Sequence, residues 1–100
     1  MHMIYETNCT TVIVSCEGIY YHCVLDDTQG TASIMPRFYF KLMDAIEALI
    51  NPEEYTTLVA LNSGLALLCN PRKMYATMKK AMKYSSFTIK TNKEIKHEPN

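Results

Sequence analysis

The chain has 100 residues, 48% of them apolar, and its ten basic residues balance its ten acidic residues. This composition excludes a disordered chain, and the length is sufficient for one domain that folds without metal or disulfide cross-links. There is no run of about 18 apolar residues and no recognisable signal peptide, so we expect neither a membrane span nor secretion. We therefore expect one cytoplasmic domain over residues 1–92 and a polar tail over residues 93–100.

The first predicted element is a β-hairpin over residues 10–25, in which β-branched and aromatic residues flank Glu17 and Gly18. A two-residue turn at Glu17-Gly18 places Val14 opposite Tyr21 and gathers the apolar residues on one face. That face consists of Val12, Val14, Cys16, Ile19, Tyr21, Cys23 and Leu25. A three-residue loop starting at Cys16 would instead need left-handed geometry only at Gly18. We favour the two-residue turn, because a shift by one residue moves the apolar set to the other face.

A loop and a helix are predicted next. Residues 26–35 are polar and include one glycine, which indicates a connecting loop. From Pro36 to Ile50 the apolar residues recur at helical spacing, and Pro36 suits the first turn of a helix. Asn51 and Pro52 are expected to end this helix, since a residue before proline avoids the helical conformation.

A second hairpin is predicted over residues 56–69, with its turn at residues 62–64. Both of its faces are apolar, so something must cover each of them. One of these faces consists of Leu58, Ala60, Ala66 and Leu68. We predict that this face binds a protein partner or a second copy of the chain.

The remaining elements are a helix and a strand. Asn70 and Pro71 are typical of a helix start, the helix is expected to end near Tyr84, and residues 87–91 alternate as a strand. This order predicts an α+β fold with a mostly antiparallel sheet and both helices on one face: a ferredoxin-like βαββαβ sandwich with an extra N-terminal strand. A profilin-like or roadblock-like arrangement is the alternative. Such folds serve many functions, so the fold alone predicts none.

The balanced net charge conceals an uneven distribution. Residues 1–54 hold eight acidic and two basic residues, whereas residues 55–100 hold eight basic and two acidic ones. Five of the basic residues belong to the second predicted helix: Arg72, Lys73, Lys79, Lys80 and Lys83. Such a helix can neutralise phosphates, so a nucleic-acid-binding regulator is an alternative function. The predicted strand over residues 65–69 lacks the aromatic rings on which single-stranded bases stack, which weakens this alternative.

Cys69 is the candidate nucleophile. It precedes the start of the second predicted helix, where the helix dipole, Arg72 and Lys73 would stabilise a thiolate. A thiol enzyme or sulfur carrier is therefore a third hypothesis, although a cysteine that continues an apolar strand face is more often a plain core residue. We expect the four cysteines to be reduced. No residue spacing typical of a metal or cofactor site is present, so neither is predicted.

In the absence of a catalytic motif, the favoured prediction is a non-enzymatic interaction protein that docks on another macromolecule, with a homodimer as the expected state. The many Ile, Asn, Lys and Tyr residues and the lack of Trp are typical of an AT-rich genome. A regulator or inhibitor from a bacteriophage or another mobile element would suit this composition. No contact with a membrane is expected.

Overall fold

The computed structural model describes residues 9–50, 55–61, 70–84 and 87–91. Over these residues the chain forms a small α+β domain, as the sequence predicts. Its elements are β1 (Cys9–Cys16), β2 (Ile19–Asp26), β3 (Thr31–Tyr39), α1 (Leu42–Glu47), β4 (Tyr55–Leu61), α2 (Pro71–Tyr84) and β5 (Phe87–Lys90). The strands form one sheet in the order β3-β2-β1-β4-β5, in which only β1 and β4 are parallel. Neither helix of the described ranges is long and apolar enough to cross a membrane.

The β1–β2 hairpin confirms the predicted two-residue turn. Val14 lies opposite Tyr21, and Val12 lies opposite Cys23. Glu17 and Gly18 both have positive φ, 53° and 80°. Two successive residues of positive φ give the turn a twist that matches the strands, and burial of most of the apolar face offsets the strain at Glu17.

The extents predicted for the loop over residues 26–35 and the helix over residues 36–50 are wrong. The turn after β2 ends at Gly30, β3 follows, and only Leu42–Glu47 are helical. The pairing of β3 with β2 shifts so that residues 35–37 lie opposite His22 alone. Pro36 therefore occupies a bulge on an edge strand, where its missing N–H breaks no regular ladder. The same bulge interrupts the alternation by which β3 could have been predicted.

The two helices lie on opposite faces of the sheet, which corrects the prediction of both on one face. Successive strand residues point to opposite faces. Val12 and Val14 belong to the cluster that contains Met74 and Met78 of α2, whereas Ile13 belongs to the cluster that contains Ala45 and Ile46 of α1. The central residues of β1, Val12, Ile13 and Val14, are therefore buried on both faces of the sheet. The ferredoxin-like topology is not confirmed.

The later elements agree with the sequence where the structure describes them. β4 covers the residues predicted for the first arm of the second hairpin, whereas the predicted turn and second arm over residues 62–69 and the predicted tail over residues 93–100 lie outside the described residues. α2 and β5 have nearly the predicted bounds. The Asn70 side chain accepts a hydrogen bond of 3.0 Å from the Lys73 backbone N–H, as expected of a helix N-cap.

Candidate functional site

The predicted partner-binding face is described only in part. Leu58 is half-buried and packs with Ile13 and the side chains around α1, so the chain's own core takes up part of this face. Ala60 is exposed, and Ala66 and Leu68 lie outside the described residues. The role of this face in binding a partner or a second copy stays a prediction.

The basic residues of α2 are all exposed, and one of them forms an ion pair. Lys79 Nζ lies 3.4 Å from Oδ1 of Asp27, and the Tyr75 hydroxyl donates a hydrogen bond of 2.6 Å to the same oxygen. The Tyr75 hydrogen bond, followed by Lys79, lowers the pKa of the Asp27 carboxyl. These contacts tie α2 to the β2–β3 turn. The exposed set is Arg72, Lys73, Lys79, Lys80 and Lys83.

The candidate nucleophile Cys69 lies outside the described residues, and the thiol hypothesis stays a prediction. Among the described thiols, burial raises the pKa of Cys23 to about 11. Burial, and then the neighbouring Glu17 carboxylate, raise the pKa of Cys16. Cys9 is exposed. His22 lies opposite Ile13, four residues or about 13 Å of strand along β1 from Cys9, and its Nε2 is engaged by the Ala45 carbonyl.

A groove of about 620 Å³ lies on the α1 face of the sheet. Its lining includes Thr11, His22, Val24, Leu49 and Thr56. His22 donates from Nε2 to the Ala45 carbonyl at 2.7 Å, and its ring lies 5.2 Å from the Tyr39 ring. In a longer helix the Leu49 N–H would donate to the Ala45 carbonyl, but here it donates to the Ile46 carbonyl. His22 therefore satisfies the Ala45 carbonyl, which the helix end leaves without a backbone donor. Its visible role is to hold α1 to the sheet.

The β3 edge carries a surface that the sequence analysis overlooked. The Phe38 and Phe40 side chains are 50% and 70% exposed, and their ring centroids lie 5.5 Å apart. The Tyr21 ring lies 6.4 Å from that of Phe38. We call these three residues the aromatic strip. The neighbouring rings are inclined at 56° and 78°, so they do not stack on one another, and the two phenylalanines keep ring surface open to solvent.

Basic residues border the aromatic strip. Arg37 and Lys41 flank the two phenylalanines along the chain and are exposed. On the α2 face, Pro71 lines a cavity of about 350 Å³ together with Tyr21 and Pro36. The first turn of α2 therefore lies beside the strip and brings its own exposed cations there. We call the set Arg37, Lys41, Arg72 and Lys73 the basic rim.

The chain matches no protein-family model, no curated protein and no solved structure. Within the described ranges, no group of three or more His, Cys, Asp or Glu side chains could hold a metal ion. The surface consists instead of flat apolar rings and cations, a combination suited to binding.

The sequence did contain a signal for this surface. Residues 37–41 place three consecutive aromatic residues between two basic ones. In an extended strand, alternation separates them: Tyr39 packs in the α1 cluster, whereas Phe38 lies opposite Tyr21 on the other face. The helix predicted over residues 36–50 would have spread these rings around its circumference, and the strip was therefore missed.

Proposed function

We propose that the chain is a non-enzymatic docking protein that binds another macromolecule through the aromatic strip and the basic rim. The observation that carries this proposal is the contact between the exposed Phe38 and Phe40 rings on the edge of the sheet. A partner that covers such rings removes apolar surface from water, which stabilises the complex by about 25 cal/mol per Å² of buried apolar area. Aromatic and arginine side chains are also the residues that most often dominate binding energy at interfaces.

The geometry of β3 favours binding through side chains. An edge strand with a regular row of free backbone groups can pair with a strand of another chain. Here the bulge over residues 35–37 and the missing N–H of Pro36 interrupt that row. A partner at this edge therefore contacts mainly the rings and the cations.

The described polar groups support a role without catalysis. The two buried thiols have raised pKa values, and His22 bonds to the Ala45 carbonyl. Catalysis by a cysteine needs a thiolate with a base or a cation nearby. The proposal therefore rests on the exposed surface and assigns no catalytic residue.

Comparative affinity capture tests this function. Tagged wild type, Phe38→Ala/Phe40→Ala and the control Tyr84→Ala are incubated with extract of the native host. Tyr84 is a matched control, because it is an aromatic residue with 73% exposure at the far end of α2. We expect macromolecules held by wild type and the control to be absent from the double variant. Retention of the same molecules by all three proteins would refute docking at this surface.

A further inference from the structure

Resting on the proposed docking function, we infer that the partner is a single-stranded nucleic acid. Its bases stack on the aromatic strip, and its phosphates contact the basic rim. Two observations lead to this partner: the charge around the strip and the accessibility of the rings.

The charge around the strip favours an anionic partner. Residues 31–43 contain Arg37 and Lys41 and no acidic residue. The whole of α2 likewise contains five basic and no acidic residues. Lys79 is paired with Asp27 at the β2–β3 turn, whereas Arg72 and Lys73 lie at the helix end next to Tyr21. Arg37 and Lys41 flank the phenylalanines along the chain, and Arg72 and Lys73 lie at the start of α2 beside Tyr21, so these four cations complement a chain of phosphates that follows the sheet edge.

The exposed rings favour a partner with flat apolar groups between its charges. Nucleobases stack on aromatic side chains regardless of sequence, because every base has a π-face. Phe38 and Phe40 offer such surface, and Tyr21 extends it toward the start of α2. A duplex keeps its bases stacked on one another, so it would reach the cations of the rim but not the rings.

The same charges disfavour a second copy of the chain on this surface. A two-fold contact brings the same patch of both copies together. The basic rim of one copy would then face that of the other, and such like-charge contacts are costly. The interrupted backbone ladder of β3 gives no compensating strand pairing.

Fluorescence anisotropy with a labelled oligothymidylate of about 12 nucleotides tests the inference. An oligouridylate of equal length distinguishes RNA from DNA, and a duplex serves as the comparison. Phe38→Leu/Phe40→Leu keeps apolar bulk but removes the aromatic faces, so we expect single-strand affinity to fall by at least about fivefold. Raising salt from about 50 to 200 mM should weaken wild-type binding by roughly 50-fold if the rim contacts four phosphates.

Two pairs of substitutions on α2 locate the phosphate contacts. Arg72→Gln/Lys73→Gln and Lys80→Gln/Lys83→Gln remove the same charge from one helix. Only the first pair lies beside Tyr21. We expect the first pair to reduce the slope of log affinity against log salt by about 1.4, and the second pair to change it much less.

Three results would overturn the inference: equal affinity for duplex and single strand, equal binding by wild type and the leucine variant, or equal losses from the two glutamine pairs. Circular dichroism melts verify that each variant folds. If the double leucine variant does not fold, Phe40→Leu alone, at the more exposed ring, takes its place. If no oligonucleotide binds while capture still depends on Phe38 and Phe40, the inference fails and the docking function stands. Failure of capture as well would refute both.

Discussion

Truncation of Met78 to alanine tests how α2 is attached to the sheet. Met78 is fully buried and shares a cluster with Val12, Val14 and Val59. Its thioether side chain therefore fills space between the helix and three strand residues. Alanine leaves that space empty, because close-packed neighbours relax only in part.

The expected loss is large relative to the stability of the domain. Replacement of a buried methionine by alanine costs about 2–5 kcal/mol, whereas a domain is typically stable by about 5–15 kcal/mol. For a chain of this size, each kcal/mol lowers Tm by roughly 4 °C or more. We therefore expect Met78→Ala to lower Tm by at least about 8 °C.

Urea and thermal unfolding followed by circular dichroism measure this loss. Lys80→Ala is the control, since Lys80 lies on the same helix but is exposed. Its effect should stay within about 0.5 kcal/mol, as for most surface substitutions. If Met78→Ala unfolds at the same temperature as Lys80→Ala, the packing of α2 on the sheet described above is refuted.

Three further changes test the turn, the ion pair and the thiols. Glu17→Asn should raise the free energy of unfolding by about 0.5–1 kcal/mol in urea titrations, because asparagine tolerates the left-handed conformation at φ 53°. Tyr75→Phe removes the hydrogen bond that lowers the pKa of Asp27. The hydrogen bond to the ionised Asp27 stabilises the folded protein fully above the ordinary Asp pKa of about 3.9. This stabilisation is lost as the pH falls through the lowered pKa of Asp27 in the folded protein. The Tm difference between wild type and Tyr75→Phe should therefore be larger at about pH 7 than at pH 2. Iodoacetamide should label Cys9 in the folded protein and Cys23 only after unfolding, as peptide mapping would show.

Each of these expectations has a result that contradicts it. A loss of stability in Glu17→Asn would mean that the turn does not hold residue 17 at positive φ. If the Tm difference between wild type and Tyr75→Phe does not change with pH, the Tyr75 hydroxyl does not stabilise the ionised form of Asp27. Labelling of Cys23 at the rate of Cys9 in the folded protein would refute the burial of the β2 core face.

The β1–β2 hairpin could be predicted because the apolar pattern decided between two possible turns. Turn chemistry alone favours the three-residue loop, since positive φ is strained at Glu17, but only the two-residue turn gathers Val12, Val14, Cys23 and Leu25 on one face. The start of α2 was predictable from its own residues, since Asn70 can cap a helix and Pro71 suits its first position.

The β3 strand could not be predicted in the same way. Its alternation is interrupted at residues 35–37, and its proline is tolerated only because this strand lies at the edge. Edge position is a property of the assembled sheet and not of the local sequence. The aromatic strip was not predicted either, because the Phe38 and Phe40 rings share a face only when residues 38–40 are extended.

The placement of the helices had a signal that was read incompletely. Three successive apolar residues, Val12, Ile13 and Val14, indicate a strand covered on both faces. Val12 and Val14 determine the register of the predicted hairpin, whereas Ile13 points to the other face and requires a second covering element there. Which helix covers which face depends on contacts between distant parts of the chain, and local patterns do not encode these.

The parallel pairing of β1 with β4 has a consequence for the order of folding. Tight turns join β1, β2 and β3, so these strands can assemble on the microsecond scale of hairpin formation. Ile13 meets Leu58 only after a much longer loop has closed. Closing that loop costs more chain entropy, so the pairing of β1 with β4 forms more slowly than the hairpins. Until then the most deeply buried strand of the finished protein has one edge without a neighbour. Such an edge can pair with another newly made chain, so self-association at that stage competes with the arrival of β4.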